Sequence, residues 1–351
     1  MRTSYTLSLF MLTTMYLTAA AAEPATSAAA DASSPTLLSV ERIWDKAPHN
    51  AFTDLIRFED QWVCAFREAP AHKGGVRGSR IRVLASADAK AWASVGELAH
   101  PRGDIRDAKM AILPDGRLTL LTAIQLFDQK AGQTHQSIAF FTRDLKSWEG
   151  PIDVAEPNFW LWGIRWHPEG RNGVGYSIGY GTGGTRLARL FQTRDGVKFE
   201  RVGEPFDVPS PFPNESAIVF DADDTARALL RFDPDVACIG SARPPYTQWT
   251  WKPSALRVGG PELMRTPDGR LLGGGRLWVP KPRMSLFWVE PETGTITECL
   301  TLPSGGDTSY PGFVWHDDVL HLSYYSSHEG GKSSIYFARV RLPEDRRALA
   351  R

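Results

Sequence analysis

The sequence is poor in cysteine and carries no net charge. Its 351 residues include three cysteines, Cys64, Cys238 and Cys299, with no CxxC pair and no histidine at zinc-ligand spacing. We interpret all three as buried strand residues, with a disulfide between any two left open. Lysine plus arginine equals aspartate plus glutamate at 40 each. A formally neutral chain lacks the basic surface that nucleic acid or an anionic membrane binds, so neither is expected as a partner.

Nucleotide and metal motifs are also missing, and no convincing amphipathic helix is present. Without a Walker motif or an EF-hand-like loop, we predict no cofactor and no metal. What the chain does contain is 31 glycines, 25 prolines and 12 tryptophans. That composition suits many short strands joined by tight turns.

The N-terminus has the pattern of an export signal. Arg2 precedes an apolar stretch at 7–17 and an alanine run at 19–22, and the apolar stretch is short for a membrane span. We therefore predict a signal peptide at 1–22, a disordered linker at 23–36 and a single domain at 37–345, in an exported protein that is periplasmic or secreted.

A turn signal recurs three times at intervals of about 50 residues. It has the form S/T-x-D with an aromatic residue four positions after the aspartate, and its copies are 86–92 (SADAKAW), 142–148 (TRDLKSW) and 193–199 (TRDGVKF). The aspartate can accept hydrogen bonds from its own turn, which predicts a hairpin. A second turn, PDGRL, occurs at 114–118 and 267–271. Repeats of this length between apolar strand-like runs are typical of a blade-type β-repeat.

Six such units are predicted, which gives an all-β fold, a six-bladed β-propeller. The first strands of the units are predicted at 51–58, 108–113, 163–166, 217–220, 263–266 and 312–315. In a propeller these strands converge on the axis, so polar residues near their starts and at second-strand ends share one funnel. Charges there are costly unless they are paired in salt bridges or functional. The candidates include His49, Arg67, Asp104, Arg106, Asp107, Asn214, Glu215, Arg231, Arg276, Asp307 and Tyr310.

From about residue 45 to 340 the chain resembles the sialidase (neuraminidase) superfamily, six-bladed propellers that carry Asp-box turns of this kind. Residues 213–219 (PNESAIV), followed by Arg231, resemble the segment with the glutamate base and one arginine of a carboxylate-binding triad. Residues 309–313 (SYPGF) are similar to the segment with the tyrosine nucleophile, and Arg276, or less favourably Arg283, lies where another triad arginine would come.

The resemblance implies Tyr310 as nucleophile and Glu215 as its base, with Arg231 and Arg276 binding an anionic group. A phenol is a poor nucleophile at its usual pKa near 10, so a neighbouring carboxylate must take its proton. A neutral phenol suits an anomeric centre that carries its own carboxylate, and sialidases are exceptions to the two-carboxylate rule. Arginines hold carboxylates by bidentate pairing.

Two segments depart from the family pattern. Residues 49–55 (HNAFTDL) contain no arginine where the first triad arginine would lie, and Arg67 can reach that space from the next strand. Residues 69–79 contain no acidic residue where the acid aspartate is expected. His72 can replace it, as can Asp104 or Asp107 from the second unit. We place Arg106, Asn214 and Trp162 beside the substrate, since an exposed tryptophan is a usual platform for a sugar ring, although core packing is the alternative.

The sequence therefore predicts an exported, sialidase-like glycoside hydrolase that removes a terminal sugar, with acidic sugars among the candidates, from a glycan or oligosaccharide. Two alternatives stay open: a non-catalytic carbohydrate-binding propeller, and a propeller hydrolase or lyase acting on another acidic sugar such as a uronate. The missing acidic residue favours the alternatives, whereas the presence of both Glu215 and Tyr310 favours an enzyme.

Overall fold

The fold was analysed in a computed structural model that describes residues 34–129, 132–167 and 173–343. The predicted signal peptide and the predicted linker up to residue 33 lie outside the described residues. Six antiparallel sheets make up the domain, and each sheet contacts the next along the chain, with the sixth returning to the first. The predicted all-β, six-bladed β-propeller is confirmed. Within the described ranges, no helix has the length and apolarity to cross a membrane.

Each blade has four strand positions, numbered here from the inside outwards. Blade 1 contains β2 (His49–Phe58), β3 (Gln61–Ala69), β4 (Arg80–Ser86) and β5 (Ala93–Leu98). In blade 2, β6 (Gly103–Ile105) and β7 (Lys109–Ile112) share the inner position, followed by β8 (Leu118–Leu126), β9 (His135–Thr142) and β10 (Glu149–Val154). In blade 3, β11 (Phe159–Leu161) and β12 (Arg165–Trp166) do the same, followed by β13 (Gly175–Gly181), β14 (Ala188–Thr193) and β15 (Glu200–Val202).

The remaining blades follow the same order. Blade 4 contains β16 (Pro213–Phe220), β17 (Ala226–Phe232), β18 (Cys238–Ala242) and β19 (Thr250–Pro253). Blade 5 contains β20 (Val258–Arg265), β21 (Leu271–Leu277), β22 (Arg283–Glu290) and β23 (Thr295–Thr301). Blade 6 contains β24 (Thr308–His316), β25 (Val319–Ser326), β26 (Ser334–Arg341) and, outermost, β1 (Thr36–Trp44).

The outermost strand of blade 6, β1, comes from the N-terminal end of the domain, whereas the other three strands of that blade come from the C-terminal end. β1 pairs antiparallel with β26, from Thr36 opposite Arg341 to Trp44 opposite Ile335. The strand starts at Thr36, within the predicted linker, and the sequence analysis did not identify it. Its mixture of exposed and half-buried residues obscures the alternation by which strands are recognised.

The repeated turns join the third and fourth strands of blades 1, 2 and 3. In each turn one aspartate oxygen accepts two backbone N–H groups at 2.8–2.9 Å, from Lys90 and Ala91, Lys146 and Ser147, or Val197 and Lys198. These bonds stabilise the ionised carboxylate and lower the pKa of Asp88 and Asp144. The predicted hairpin geometry is therefore present, at the outer side of the blades. All three cysteines are free thiols in strands, with Cys64 and Cys238 buried and Cys299 half-buried.

Charged groups meet on the axis between the inner strands, around a cavity of about 130 Å³. Lys109 Nζ lies 3.3 Å from Glu262 Oε2, and Arg165 Nη2 lies 2.9 Å from Glu262 Oε1. Asp54 accepts hydrogen bonds from the backbone of Leu55 and Met110. Burial raises the pKa of Asp54 to about 6, against the lowering effect of Lys109. Salt bridges therefore account for these inner-strand charges. This is the structural explanation, the alternative to a functional role.

Candidate active site

Irregular backbone at the start of four inner strands shapes the site. The register of the inner strand shifts between Ala51 and Asp54, Pro213 and Ser216, Gly259 and Glu262, and Ser309 and Gly312. Bulges of this kind redirect side chains at the rims of sheets. Phe52 and Tyr310 have φ values of 63° and 55°, a region that non-glycine residues rarely adopt. Glu215, Gly260 and Tyr310 all lie within these shifts.

Tyr310 and Glu215, from blades 6 and 4, form a direct pair. Tyr310 Oη donates a hydrogen bond to Glu215 Oε1. The other carboxylate oxygen accepts from Arg231 Nη1 at 2.5 Å and from the backbone N–H of Gly260 at 2.8 Å. Tyr310 is 6% exposed and Glu215 is 8% exposed. Burial, and then the charges of Glu215 and Asp107, raise the pKa of Tyr310 well above its usual value. The phenol therefore stays neutral unless Glu215 takes its proton.

Three arginines surround the ring of Trp278 beside this pair. The guanidinium carbons of Arg231, Arg257 and Arg276 lie 5.7, 4.0 and 5.0 Å from the ring centre. Asp233 pairs with Arg231 Nη2 at 2.8 Å and also with Arg257. Burial acts to lower the pKa of Arg231, but Glu215, Tyr310 and Asp233 outweigh it and raise that pKa. Arg231 therefore stays charged and fixes the position of the Glu215 carboxylate.

A second cluster centres on Asp307, three residues before Tyr310. Its Oδ2 lies 2.5 Å from Nδ1 of His72 and 3.0 Å from Nε2 of His49, and its Oδ1 accepts from Tyr325 Oη at 2.8 Å. Arg276 Nη1 is 3.6 Å from Oδ1. Burial opposes ionisation of Asp307, but the bonds from the two histidines and Tyr325 prevail and lower its pKa.

The same cluster is the group of described residues whose spacing suits a metal ion. Donor atoms of His49, His72 and Asp307 all lie within 4.8 Å of one another. Hydrogen bonds between them account for the arrangement without an ion, and the positive charge of Arg276 opposes a second cation beside Asp307. We assign the cluster as a hydrogen-bonded group.

Asp107 is a buried carboxylate close enough to Tyr310 for its charge to raise the pKa of that phenol. It is 6% exposed, and its Oδ1 has no hydrogen-bond partner among the described residues. Burial raises its pKa to about 6; Arg106 acts to lower it, and the charge of Glu215 raises it further. Arg106 lies over the Phe52 ring, with its guanidinium carbon 5.1 Å from the ring centre.

Most predicted site residues come together around Tyr310. Asn214 lies beside them: its amide donates to Asp233 at 3.0 Å and its oxygen accepts from the backbone N–H of Glu215 at 2.8 Å, so it positions both carboxylates. Arg276 belongs to the site. Arg283, the less favoured candidate, instead pairs with Glu298 on the outer strands of blade 5.

Two predicted substrate contacts need correction. Arg67 is completely buried: Nη2 bonds both oxygens of Asp104 at 2.9 and 3.0 Å, and Nε and Nη1 bond backbone carbonyls. It therefore ties blade 1 to blade 2 and presents no exposed surface to a ligand. Trp162 is 5% exposed. Its ring centre lies 5.9 Å from that of Tyr310 and 6.2 Å from that of Tyr180. It therefore packs against Tyr310 as a core residue and is not an exposed platform for a sugar ring.

Sequence reasoning missed Asp233, Arg257 and Trp278, and it gave Asp307 no role. Asp233 comes two residues after Arg231, just past the end of the same strand. Because residues two apart along a strand lie on the same face, this spacing was the signal that could have identified Asp233 as a site residue. Nothing in the sequence marks Arg257 and Trp278 as neighbours, because Arg257 directly precedes β20 and Trp278 directly follows β21.

Comparison with solved structures agrees with this architecture. The sequence matches no known family profile and no curated protein. A Dyadobacter fermentans protein of unknown function superposes with a TM-score of 0.77 at 21% identity, over 88% of this chain and 99% of that one. Trypanosoma rangeli sialidase in complex with sialic acid superposes with a TM-score of 0.66 at 13% identity. The chain has a sialidase-like propeller fold.

That sialidase is longer than this chain, and the fold is shared more widely. The superposition covers 87% of this chain and 57% of the sialidase. A Penicillium chrysogenum α-L-arabinanase complexed with arabinobiose superposes with a TM-score of 0.63 at 11% identity, over 87% of this chain and 98% of that one. At these identities the likeness shows the fold, and function has to be argued from the site.

Proposed function

We propose that the protein is an exo-acting glycoside hydrolase in which Tyr310 is the nucleophile and Glu215 its base. The observation that carries the proposal is the hydrogen bond from Tyr310 Oη to Glu215, made between two residues 95 positions apart on bulged inner strands. The sialidase and arabinanase of similar fold support hydrolysis of a glycosidic bond. The predicted signal peptide supports a glycan outside the cytoplasm as substrate.

The geometry supports a two-step reaction. In the first step a bond forms between Tyr310 Oη and the anomeric carbon while the bond from that carbon to the leaving oxygen breaks. The phenol proton passes to Glu215, and an acid protonates the leaving oxygen. In the second step water attacks the anomeric carbon while the bond from that carbon to Tyr310 Oη breaks. The water gives a proton to the former acid, and Glu215 returns its proton to the departing Tyr310 oxygen. Arg231 and Gly260 hold Glu215 at the required distance throughout.

The decisive measurement is hydrolysis of a panel of fluorogenic aryl sialosides, uronides and arabinosides by the wild type and by Tyr310→Phe. We expect at least one class to be turned over, and Tyr310→Phe to reduce kcat/KM by about a thousandfold or more, since removal of a nucleophile typically has effects of this order. Tyr324→Phe is the matched control, because Tyr324 is a buried tyrosine of the same blade whose hydroxyl bonds Pro303 O. Undiminished turnover by Tyr310→Phe contradicts the proposal.

If the wild type hydrolyses no glycoside of the panel, the two alternative functions can be distinguished by further measurements. If the wild type hydrolyses no glycoside but binds glycans on an array, and Tyr310→Phe binds them equally well, the protein is a carbohydrate-binding propeller. Release of unsaturated products from a uronide identifies a lyase instead.

A further inference from the structure

We propose that His72, oriented by Asp307, is the group that protonates the leaving oxygen. The inference rests on the proposed function and assigns the acid that the reaction requires. The segment where an acidic residue was expected, 69–79, has none, and His72 is the histidine in that segment.

The hydrogen bonds of the His72 ring are those of an acid–base histidine. Nδ1 lies 2.5 Å from Asp307 Oδ2. Because a carboxylate oxygen only accepts, Nδ1 carries a proton and Nε2 is the nitrogen that can exchange one. Among the described residues, Asp307 is the one hydrogen-bond partner of this ring. A carboxylate on Nδ1 that fixes the tautomer while Nε2 transfers the proton is how histidine serves in hydrolases on unrelated folds.

Asp307 is itself held from both sides, so it can orient His72 reproducibly. Tyr325 Oη donates to Oδ1 at 2.8 Å, and Nε2 of His49 donates to Oδ2 at 3.0 Å. Burial lowers the pKa of His49, which therefore acts as a neutral donor. The backbone carbonyl of His72 accepts from Arg106 Nη1 at 3.2 Å, which fixes the loop that carries it. These groups, with Arg276, are the charged and titratable side chains around the dyad.

The depth of each candidate acid in the funnel decides between them. The His72 side chain is 52% exposed, whereas the Asp107 residue is 6% exposed. One ring, Phe52, separates His72 from the nucleophile, with centre distances of 5.5 Å to His72 and 4.8 Å to Tyr310. An exo-acting hydrolase holds the terminal sugar at the floor of the funnel and directs the leaving part to solvent. The acid must therefore stand near the mouth, where His72 is, and Asp107 is left to contact the bound sugar.

Dependence on the leaving group provides the test. We would compare wild type, His72→Gln and Asp307→Asn on two glycosides of the same sugar, one with a dinitrophenyl leaving group and one with an alkyl leaving group. A dinitrophenolate departs without a proton, so His72→Gln should lower kcat/KM for it by less than about tenfold and for the alkyl glycoside by about 10²- to 10⁴-fold. Asp307→Asn should show the same selectivity with a smaller loss. Lys73→Ala, an exposed change on the same loop, is the control.

Each other outcome overturns the assignment. Equal losses on both substrates make His72 a binding residue. Selective loss in Asp107→Asn with normal His72→Gln makes Asp107 the acid. Activity abolished by a chelator and restored by Zn²⁺ makes the cluster a metal site. These results differ from failure of the proposed function, in which Tyr310→Phe stays active. A wild type that hydrolyses no glycoside overturns both proposals.

Discussion

Asp107 shows how a residue of the candidate site can lower the stability of the fold. A buried carboxylate without a partner for one oxygen loses its hydration, and its pKa rises from 3.8 to about 6. The charged form is therefore less favourable in the folded protein than in the unfolded chain, so ionisation of Asp107 at neutral pH lowers the free energy of unfolding. A buried carboxylate oxygen without a partner is more readily explained by a ligand hydroxyl than by packing.

The corresponding prediction concerns Asp107→Asn. Because the folded pKa is raised, the stability that Asp107 contributes is complete below about pH 4 and is lost as pH rises through about 6. Asparagine removes that loss, so the variant should be more stable at pH 7.5, by at most about 3 kcal/mol. The gain should shrink towards pH 4.5, and activity should fall. Urea unfolding of both proteins at several pH values measures the difference in unfolding free energy.

An opposite sign is expected from the control, Asp144→Asn. Turn hydrogen bonds lower the pKa of Asp144, so its stabilising contribution is present at neutral pH and is lost in acid. That variant should be less stable than the wild type at pH 7.5. A loss of stability at pH 7.5 in Asp107→Asn would contradict the account given for that residue.

Among the elements of the fold, the bulged inner strands decide where the proposed catalytic groups point. Gly260 lies in the bulge of β20 with φ of 54°, and its N–H bonds Glu215. A Cβ on Gly260 would lie 2.5 Å from Ser309 Oγ and 2.6 Å from Tyr310 Cδ2. The bare backbone at this position is therefore what lets Tyr310 and Glu215 approach each other.

Gly260→Ala should consequently displace Tyr310. We expect a loss of unfolding free energy of about 2–4 kcal/mol from backbone strain plus overpacking, and a tenfold or greater fall in kcat/KM. Gly269→Ala is the matched control, because Gly269 has φ of 83° and no atom within 4 Å of its ideal Cβ position. Gly269→Ala introduces the same kind of backbone strain without the steric clash. Equal effects of the two variants on kcat/KM would show that the contact with Tyr310 is unimportant.

For the whole molecule, the charges on the axis connect blades 1, 2, 3 and 5. Lys109 lies between Glu262 and Asp54, and Arg165 completes the network from blade 3. Although burial acts against it, the two carboxylates raise the pKa of Lys109. The Trp162 ring, 5.8 Å from Lys109 Nζ, separates this network from Tyr310. We therefore expect the network to affect stability more than catalysis.

Lys109→Met should lower the free energy of unfolding by about 3–5 kcal/mol, because it leaves the buried Asp54 without its cation and Glu262 with Arg165 alone. Lys146→Met, on an exposed turn, should have little effect. Urea unfolding of both variants at pH 7.5 measures the difference. If Lys109→Met unfolds at the wild-type urea concentration, the axial network does not stabilise the ring.

Much of the fold was accessible from the sequence because its signals are local. Alternation of apolar residues marks a strand over a few positions, and an aspartate that bonds the backbone two and three residues on marks a turn. The copies at Asp88, Asp144 and Asp195 therefore indicated the blades. β1 was not predicted because its partner, β26, lies about 300 residues away in the sequence, and no local pattern indicates that pairing.

The blade repeat and the residue types available at the mouth of the propeller, including Tyr310, Glu215 and His72, could be predicted from the sequence alone. How those residues are used depends on the folded arrangement. Arg67 and Arg231 look equivalent in sequence, yet Arg67 is buried against Asp104 while Arg231 holds Glu215. The reason is physical: the role of a charge depends on its partners and its burial, and both depend on which blades are neighbours in the closed ring.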